Sequence, residues 1–218
     1  MVTGADDFEN ALSLLAHQYS PKRRSGAKRL RRMGDPHACA PLLDALQREV
    51  RDPRTWETQY QMIMALGECR CKDALPYLRE LAQTRFESTM ISMALGDAIV
   101  RLARTSEDDP TPVLDIMSTN NLSVVTGAYR AVAVLHLKLT DAAVETIIAF
   151  VSQLSVNDGT EVWFALNGLH YWVAAAAAGW YGPHVEAFLQ RCLVSMHENV
   201  REVAVSSLDH EYHRWRPL

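Results

Sequence analysis

The sequence predicts an all-α protein, a right-handed α-α superhelix of about six antiparallel helix pairs. Three observations carry this. Leucines at Leu30, Leu66, Leu102, Leu135, Leu169 and Leu208 recur 36, 36, 33, 34 and 39 residues apart, and self-similarity at such a period marks an array of stacked units. Apolar residues inside each segment keep helical spacing, and no stretch alternates with period two for long enough to make a strand. Glycines and prolines fall at the joints between periodic segments.

The elements follow in order. Phe8, Ala11, Leu12, Leu14 and Leu15 place a helix between Asp6 and His17. Ser20-Pro21 offers an N-cap and a proline at the first helical position. The second helix then runs to Met33 and stops at Gly34-Asp35-Pro36. The same alternation predicts helices near 37–49, 55–68, 73–83, 88–104, 111–118, 121–138, 141–154, 159–178, 183–196 and 198–208. Linkers are short, the longest running from Thr105 to Thr111, and no internal boundary is visible, so residues 1–218 read as one domain.

Charge and cysteine usage narrow the function classes. A net charge of −4 lacks the basic excess that a phosphate backbone requires and argues against nucleic acid as the main partner. Cys39, Cys69, Cys71 and Cys192 form no CxxC pair, and one residue between Cys69 and Cys71 is poor zinc spacing. They read as reduced thiols filling small apolar spaces in a cytoplasmic protein. Met1 to Asn10 has acids and no apolar run, so it does not read as a signal peptide. Val173 to Trp180 is too short to span a bilayer, so no membrane partner is expected.

The two helices of each pair carry different phrases. Second helices end in the marker leucine, as in Asn199 to Leu208, Thr58 to Leu66 with Gly67, and Lys22 to Leu30 with Gly34-Asp35. First helices open with Ala40-Pro41-Leu42-Leu43, Leu75-Pro76-Tyr77-Leu78 and Thr111-Pro112-Val113-Leu114. Ala27, Ala98, Ala131 and Ala204 keep the second helices slim enough for close approach. These phrases resemble HEAT repeats of the short bacterial type, also seen in bilin-lyase-like proteins, whose pattern is roughly V-R-x-x-A-x-x-A-L-G-x-x-G-D-x-x-A-x-P-x-L. Residues 20–114 and 198–208 fit it well, 121–152 moderately and 155–195 poorly. The resemblance implies the HEAT-like solenoid fold, with second helices lining a concave face, and pairs Arg23 with Asp35. It implies no activity by itself.

Four features are candidate sites. The run from Pro21 to Arg32 holds seven cations and no acid, and reads either as a contact for an anionic partner or as a solvated helix at the end of the array. Aromatic residues gather on the second helices, where Trp and Tyr are the side chains most enriched at binding hot spots. Arg24, Lys28, Trp56, Tyr60, Gln61, Tyr129, Trp163, Asn167, His170 and Glu202 are the expected partner-binding residues, with core packing as the competing reading for the aromatics. The tail from Asp209 to Trp215 reads as the polar cap of a terminal repeat rather than a metal site. The His197-Glu198 and His210-Glu211 pairs are out of repeat register, which argues against the two-iron chemistry of HEAT-repeat hydroxylases.

No G-x-S-x-G, P-loop or dinucleotide fingerprint appears. The reading is therefore a non-enzymatic protein-binding module with no catalytic residue, no metal and no cofactor. Its concrete version is an immunity protein that occludes a cognate bacterial toxin domain of complementary charge. The alternatives are a bilin-lyase-like chaperone, a HEAT-like DNA-binding or repair protein, and a scaffold subunit of a larger complex. A repair glycosylase of that fold would want a long cationic groove, whereas basic charge here is concentrated in one helix.

Overall fold

Three Asp-Pro dipeptides set the local rhythm of the chain. In the computed structural model, which describes residues 4–119, 121–154 and 160–213 but not the side chains of 160–167, each aspartate caps the turn that follows it. Asp35 accepts a hydrogen bond from the His37 amide at 2.9 Å, Asp52 from Arg54 at 3.1 Å and Asp109 from Thr111 at 3.0 Å. The proline after each stands where no backbone N–H is needed. The Thr105 amide and the other donors around Asp109 hold its carboxyl down at about 2. Single 3-10 turns at Pro36–Ala38, Pro53–Thr55 and Lys72–Ala74 lead into three of the helices.

Among the described residues there are twelve α-helices and no strand. They fall into two compact units, Met1–Ala103 and Arg104–Leu218. The first holds α1 Gly4–Leu15, α2 Ser20–Met33, α3 Cys39–Glu49, α4 Trp56–Glu68, α5 Leu75–Leu81 and α6 Thr89–Ala103. The second holds α7 Thr111–Met117, α8 Leu122–Val134, α9 Asp141–Gln153, α10 Thr160–Ala176, α11 Pro183–Cys192 and α12 Glu198–Leu208. The expected helices near 73–83, 121–138 and 183–196 end earlier than their apolar pattern does, at Leu81, Val134 and Cys192.

The reason at α8 is a left-handed residue. Gly34 (φ 63°), Arg70 (φ 60°), His136 (φ 52°) and His210 (φ 57°) all close second helices in this conformation. After the last three, the next amide reaches back to Leu66, Val132 and Ser206 at 3.0, 3.0 and 2.8 Å, the longer bond of a Schellman motif. This shifts the repeat register. Leu30 and Leu66 lie four residues before the left-handed residue, and in the later copies that place belongs to Val132 and Ser206, not to Leu135 and Leu208.

In the first unit α1 packs on α2, α2 on α4 and α4 on α6, while α3 backs α4 and α5 backs α6. Gly26 lets α1 and α2 meet backbone to backbone, because a Cβ there would lie 2.5 Å from the Leu15 amide nitrogen and 2.7 Å from the Ala11 carbonyl oxygen. Leu30, Leu46, Met62, Ile63 and Leu95 fill the core behind these contacts.

A polar knot ties four of these helices at one end. Arg23 does not pair with Asp35. It donates to both oxygens of the buried Glu49 carboxylate at 2.5 and 2.9 Å, and to the free carbonyls of His17 and Gln18 just past α1 at 2.9 and 2.7 Å. Ser20 donates to the same carboxylate at 2.9 Å and lies 2.7 Å from the Thr58 hydroxyl. Burial alone would raise the Glu49 pKa, but the hydrogen bonds from Arg23 and Ser20 outweigh it and hold the carboxyl below its usual range. Asp35, freed from that role, caps the turn before α3.

The cysteines also depart from expectation. Cys39, the first residue of α3, is joined in a disulfide to Cys71 in the turn before α5, with Cα atoms 5.2 Å apart. Cys69 and Cys192 are free and buried, as small core residues should be.

In the second unit α10 lies between α8 and α12. From Leu169 it is apolar almost all round, because it buries more than one face, and Val173 to Ala178 are all buried. Ser207 of α12 donates to the Ala174 carbonyl at 2.7 Å, and the His210 ring nitrogen Nδ1 lies 3.1 Å from the Ala178 carbonyl oxygen. The tail then folds back so that Tyr212 stacks on His136 with ring centroids 3.7 Å apart.

Candidate functional site

The first unit presents a polar face along α2, α4 and α6. Arg24 pairs with Glu57 between α2 and α4. Further along, Arg31 donates to the Gln61 side-chain oxygen at 3.3 Å. On α6, Arg101 donates to the fully buried Asp97 of the same helix at 2.5 Å and, across to α4, to Glu68 at 3.3 Å. Desolvation would depress Arg101, but the two carboxylates outweigh it and its pKa is raised. Each rung joins neighbouring second helices, so these charges already have partners inside the fold.

The remaining cations of α2 have no such counter-charge, although Arg32 Nε donates to the Lys28 carbonyl at 3.4 Å. Lys22, Lys28, Arg29 and Arg32 face no carboxylate among the described residues. Lys28 and Arg32 share one side of α2, four residues apart, and both are exposed. Trp56, at the start of α4 beside Glu57, is 38% exposed. Lys28, Arg24 and Trp56 are thus accessible members of the expected set on adjacent helices.

Other expected residues sit differently. Tyr60 and Gln61 are buried at 6% exposure, and Tyr129 at 1%. Tyr129 lies one turn before Val132 and shares its inward phase, whereas Tyr60 is inside because α4, packed between α2 and α6, is buried on every side from Thr58 to Gly67. Gln61 is instead drawn into the Arg31 rung. These three are corrected from surface to interior. The Tyr129 hydroxyl meets no hydrogen-bonding group among the described residues, and burial pushes its phenol far above the usual range. Trp163 and Asn167 lie on the first half of α10, where side chains are outside the described residues.

In the second unit a different cluster forms. His170 is half-buried with its ring 6.3 Å from Phe188. Tyr171 meets Trp172 edge-on at 5.2 Å, and the Arg130 guanidinium lies 5.5 Å above the Trp172 ring, within cation–π range. Burial and the nearby Glu202 carboxylate push Tyr171 up to about 12. Glu202 is exposed on α12. Sequence spacing did not single out Arg130 or Trp172. Their pairing depends on α8 lying against α10, which no local pattern encodes.

Among the described residues no three His, Cys, Asp or Glu side chains converge as a metal-binding group. His210 and His213 instead contact Tyr181 and Tyr171 at ring distances of 4.9 and 6.4 Å. No described helix is long and apolar enough to cross a membrane.

Residues 22–48 match the PBS lyase HEAT-like repeat, a narrower span than the phrases suggested. No curated protein matches the sequence. Similar solved structures include a designed armadillo repeat protein, 14% identical with a TM-score of 0.43 over 93% of this chain and 99% of that one. Human deoxyhypusine hydroxylase in complex with glycerol is 14% identical, with a TM-score of 0.42 over 95% of this chain and 85% of that one. An engineered protein is 17% identical, with a TM-score of 0.46 over 94% and 98%. None of these likenesses assigns an activity here. Residues 22–48, which carry α2, the turn that Asp35 caps and most of α3, match a PBS lyase HEAT-like repeat, and the described residues form an all-α array of helix pairs similar to HEAT repeats.

Proposed function

We propose that the chain is a non-enzymatic protein-docking module whose partner presents an acidic surface to α2 and the start of α4. The observation that carries this reading is the row formed by Lys28 and Arg32 beside Arg24 and Trp56. Lys28 and Arg32 have no carboxylate among the described residues, in a fold that neutralises Arg23, Arg24 and Arg101 internally. Unmatched cations steer an anionic partner, and an exposed tryptophan beside them supplies the apolar anchor. Its concrete form is an immunity protein that occludes an acidic toxin domain encoded by a neighbouring gene.

The test is calorimetric titration of the purified chain with that neighbour's product. Lys28→Glu and Arg32→Glu should each weaken binding, and Trp56→Ala should cost about 2 kcal/mol, roughly thirtyfold. No binding, or affinity indifferent to both charge reversals, overturns the reading. Binding of DNA with a steep dependence of log affinity on log salt would move the partner to nucleic acid.

The match of residues 22–48 to a PBS lyase repeat supports a second reading, a bilin-handling chaperone. Mixing the chain with free bilin would then shift the pigment's visible absorbance, and an unchanged spectrum removes that reading.

A further inference from the structure

Three of the four cysteines lie together in the first unit, outside the docking face. Cys39 starts α3, and Cys69, Arg70 and Cys71 form the turn that ends α4. The bridge between Cys39 and Cys71 links α3 to the entrance of α5. Each of these two helices packs mainly on its own partner, α3 on α4 and α5 on α6, so the bridge is a principal tie between them.

The two sulfurs are not equally accessible. Cys39 is half-buried, whereas Cys71 is 3% exposed. The Cys39 sulfur also lies 3.8 Å from the Cys69 carbonyl oxygen. While oxidised, that sulfur has no proton to donate. Once reduced, its thiol finds an acceptor already in place, so the site accommodates both redox states. The third sulfur is engaged elsewhere: the Cys69 thiol donates to the Leu30 carbonyl at 3.5 Å, and burial, with the charges of Asp35 and Glu68, pushes it up to about 11. It therefore stays protonated and does not compete for the bridge.

We propose that Cys39–Cys71 is a redox modification site, opened by a small thiol of the glutathione class that attacks the Cys39 sulfur. The incoming thiolate forms a mixed disulfide with Cys39, and Cys71 leaves as a thiolate and takes a proton. A second thiolate attacks the small-molecule sulfur of the mixed disulfide, releasing the small disulfide and the Cys39 thiol. Two small thiols thus supply the two electrons and two protons that the bridge gains. Opening releases α3 from the entrance of α5 while the helix pairs themselves remain.

Thiol counting and melting on the full chain test this. After equilibration with oxidised glutathione, alkylation under denaturing conditions should find two free thiols, Cys69 and Cys192, and four after dithiothreitol. Brief exposure to reduced glutathione followed by acid quench should place the trapped adduct on Cys39. Closing a loop of 32 residues in the unfolded chain should raise the midpoint of thermal unfolding by roughly 10 °C in the oxidised form. Cys69→Ser should keep that redox-dependent shift, and the Cys39→Ser/Cys71→Ser pair should melt at the lower temperature with or without reductant. Four free thiols in the oxidised buffer, an adduct on Cys71 or Cys69, or a melting point that ignores reductant in the unaltered chain overturns the proposal.

Discussion

Glu49 shows how much a single buried charge organises the first unit. Its carboxylate collects Arg23 and Ser20 and, through Ser20, Thr58, tying the end of α3 to α2 and α4. Glu49→Gln keeps the shape but leaves Arg23 without its counter-charge. The expected loss is about 3 kcal/mol, the lower end for a broken buried pair because Arg23 retains some solvent contact. The charge contribution is fully present above the ordinary glutamate pKa and is lost as pH falls through the lower folded value. Denaturant unfolding at pH 7 and pH 3 checks both points, and an equal gap between the two proteins at the two pH values refutes this account. Arg70 is the opposite case, a residue working against its backbone. It holds φ 60° where Gly34 stands in the preceding copy, at a conformational cost that glycine avoids. Arg70→Gly should stabilise the chain by about 0.5–1 kcal/mol, read as a higher denaturant midpoint at an unchanged slope.

At the scale of the helix, boundaries come from short-range chemistry and packing comes from small side chains. The Asp-Pro starts and left-handed ends explain where α3, α4, α7 and α8 begin or stop. Close approach then depends on what is missing. Gly26 has no Cβ because α1 passes directly over it. Gly26→Ala should therefore cost about 2–3 kcal/mol despite the better helix propensity of alanine, worth about 1 kcal/mol in the opposite direction. A neutral or stabilising result in thermal unfolding would mean that α1 can lift off α2 at little cost. This geometry was legible as a helix pair in the sequence. The need for glycine was not, since the clash involves residues on another helix.

For the molecule as a whole, charge is divided between the units. Residues 1–103 carry 15 Lys and Arg against 13 Asp and Glu, whereas residues 104–218 carry 7 against 13. An acidic partner should therefore be drawn toward the first unit and repelled by the second, which favours one orientation. Raising the salt concentration from about 50 to 200 mM should slow association in stopped-flow measurements much more than it speeds dissociation. A rate constant for association that ignores salt would remove electrostatic steering from the proposed docking.

The amino-acid sequence by itself determined the all-α class, the helix-pair period and most helix starts, because apolar spacing and proline, glycine and aspartate act within a few residues. It also exposed the cationic run of α2. Tertiary structure decided what each of those side chains does. Arg23 chose Glu49 over Asp35, Tyr60 and Tyr129 turned inward, and Cys39 met Cys71 across 32 positions of sequence. Those outcomes depend on the rotation and separation of neighbouring helices, set by summed packing over many residues, and a one-residue change of phase reverses them.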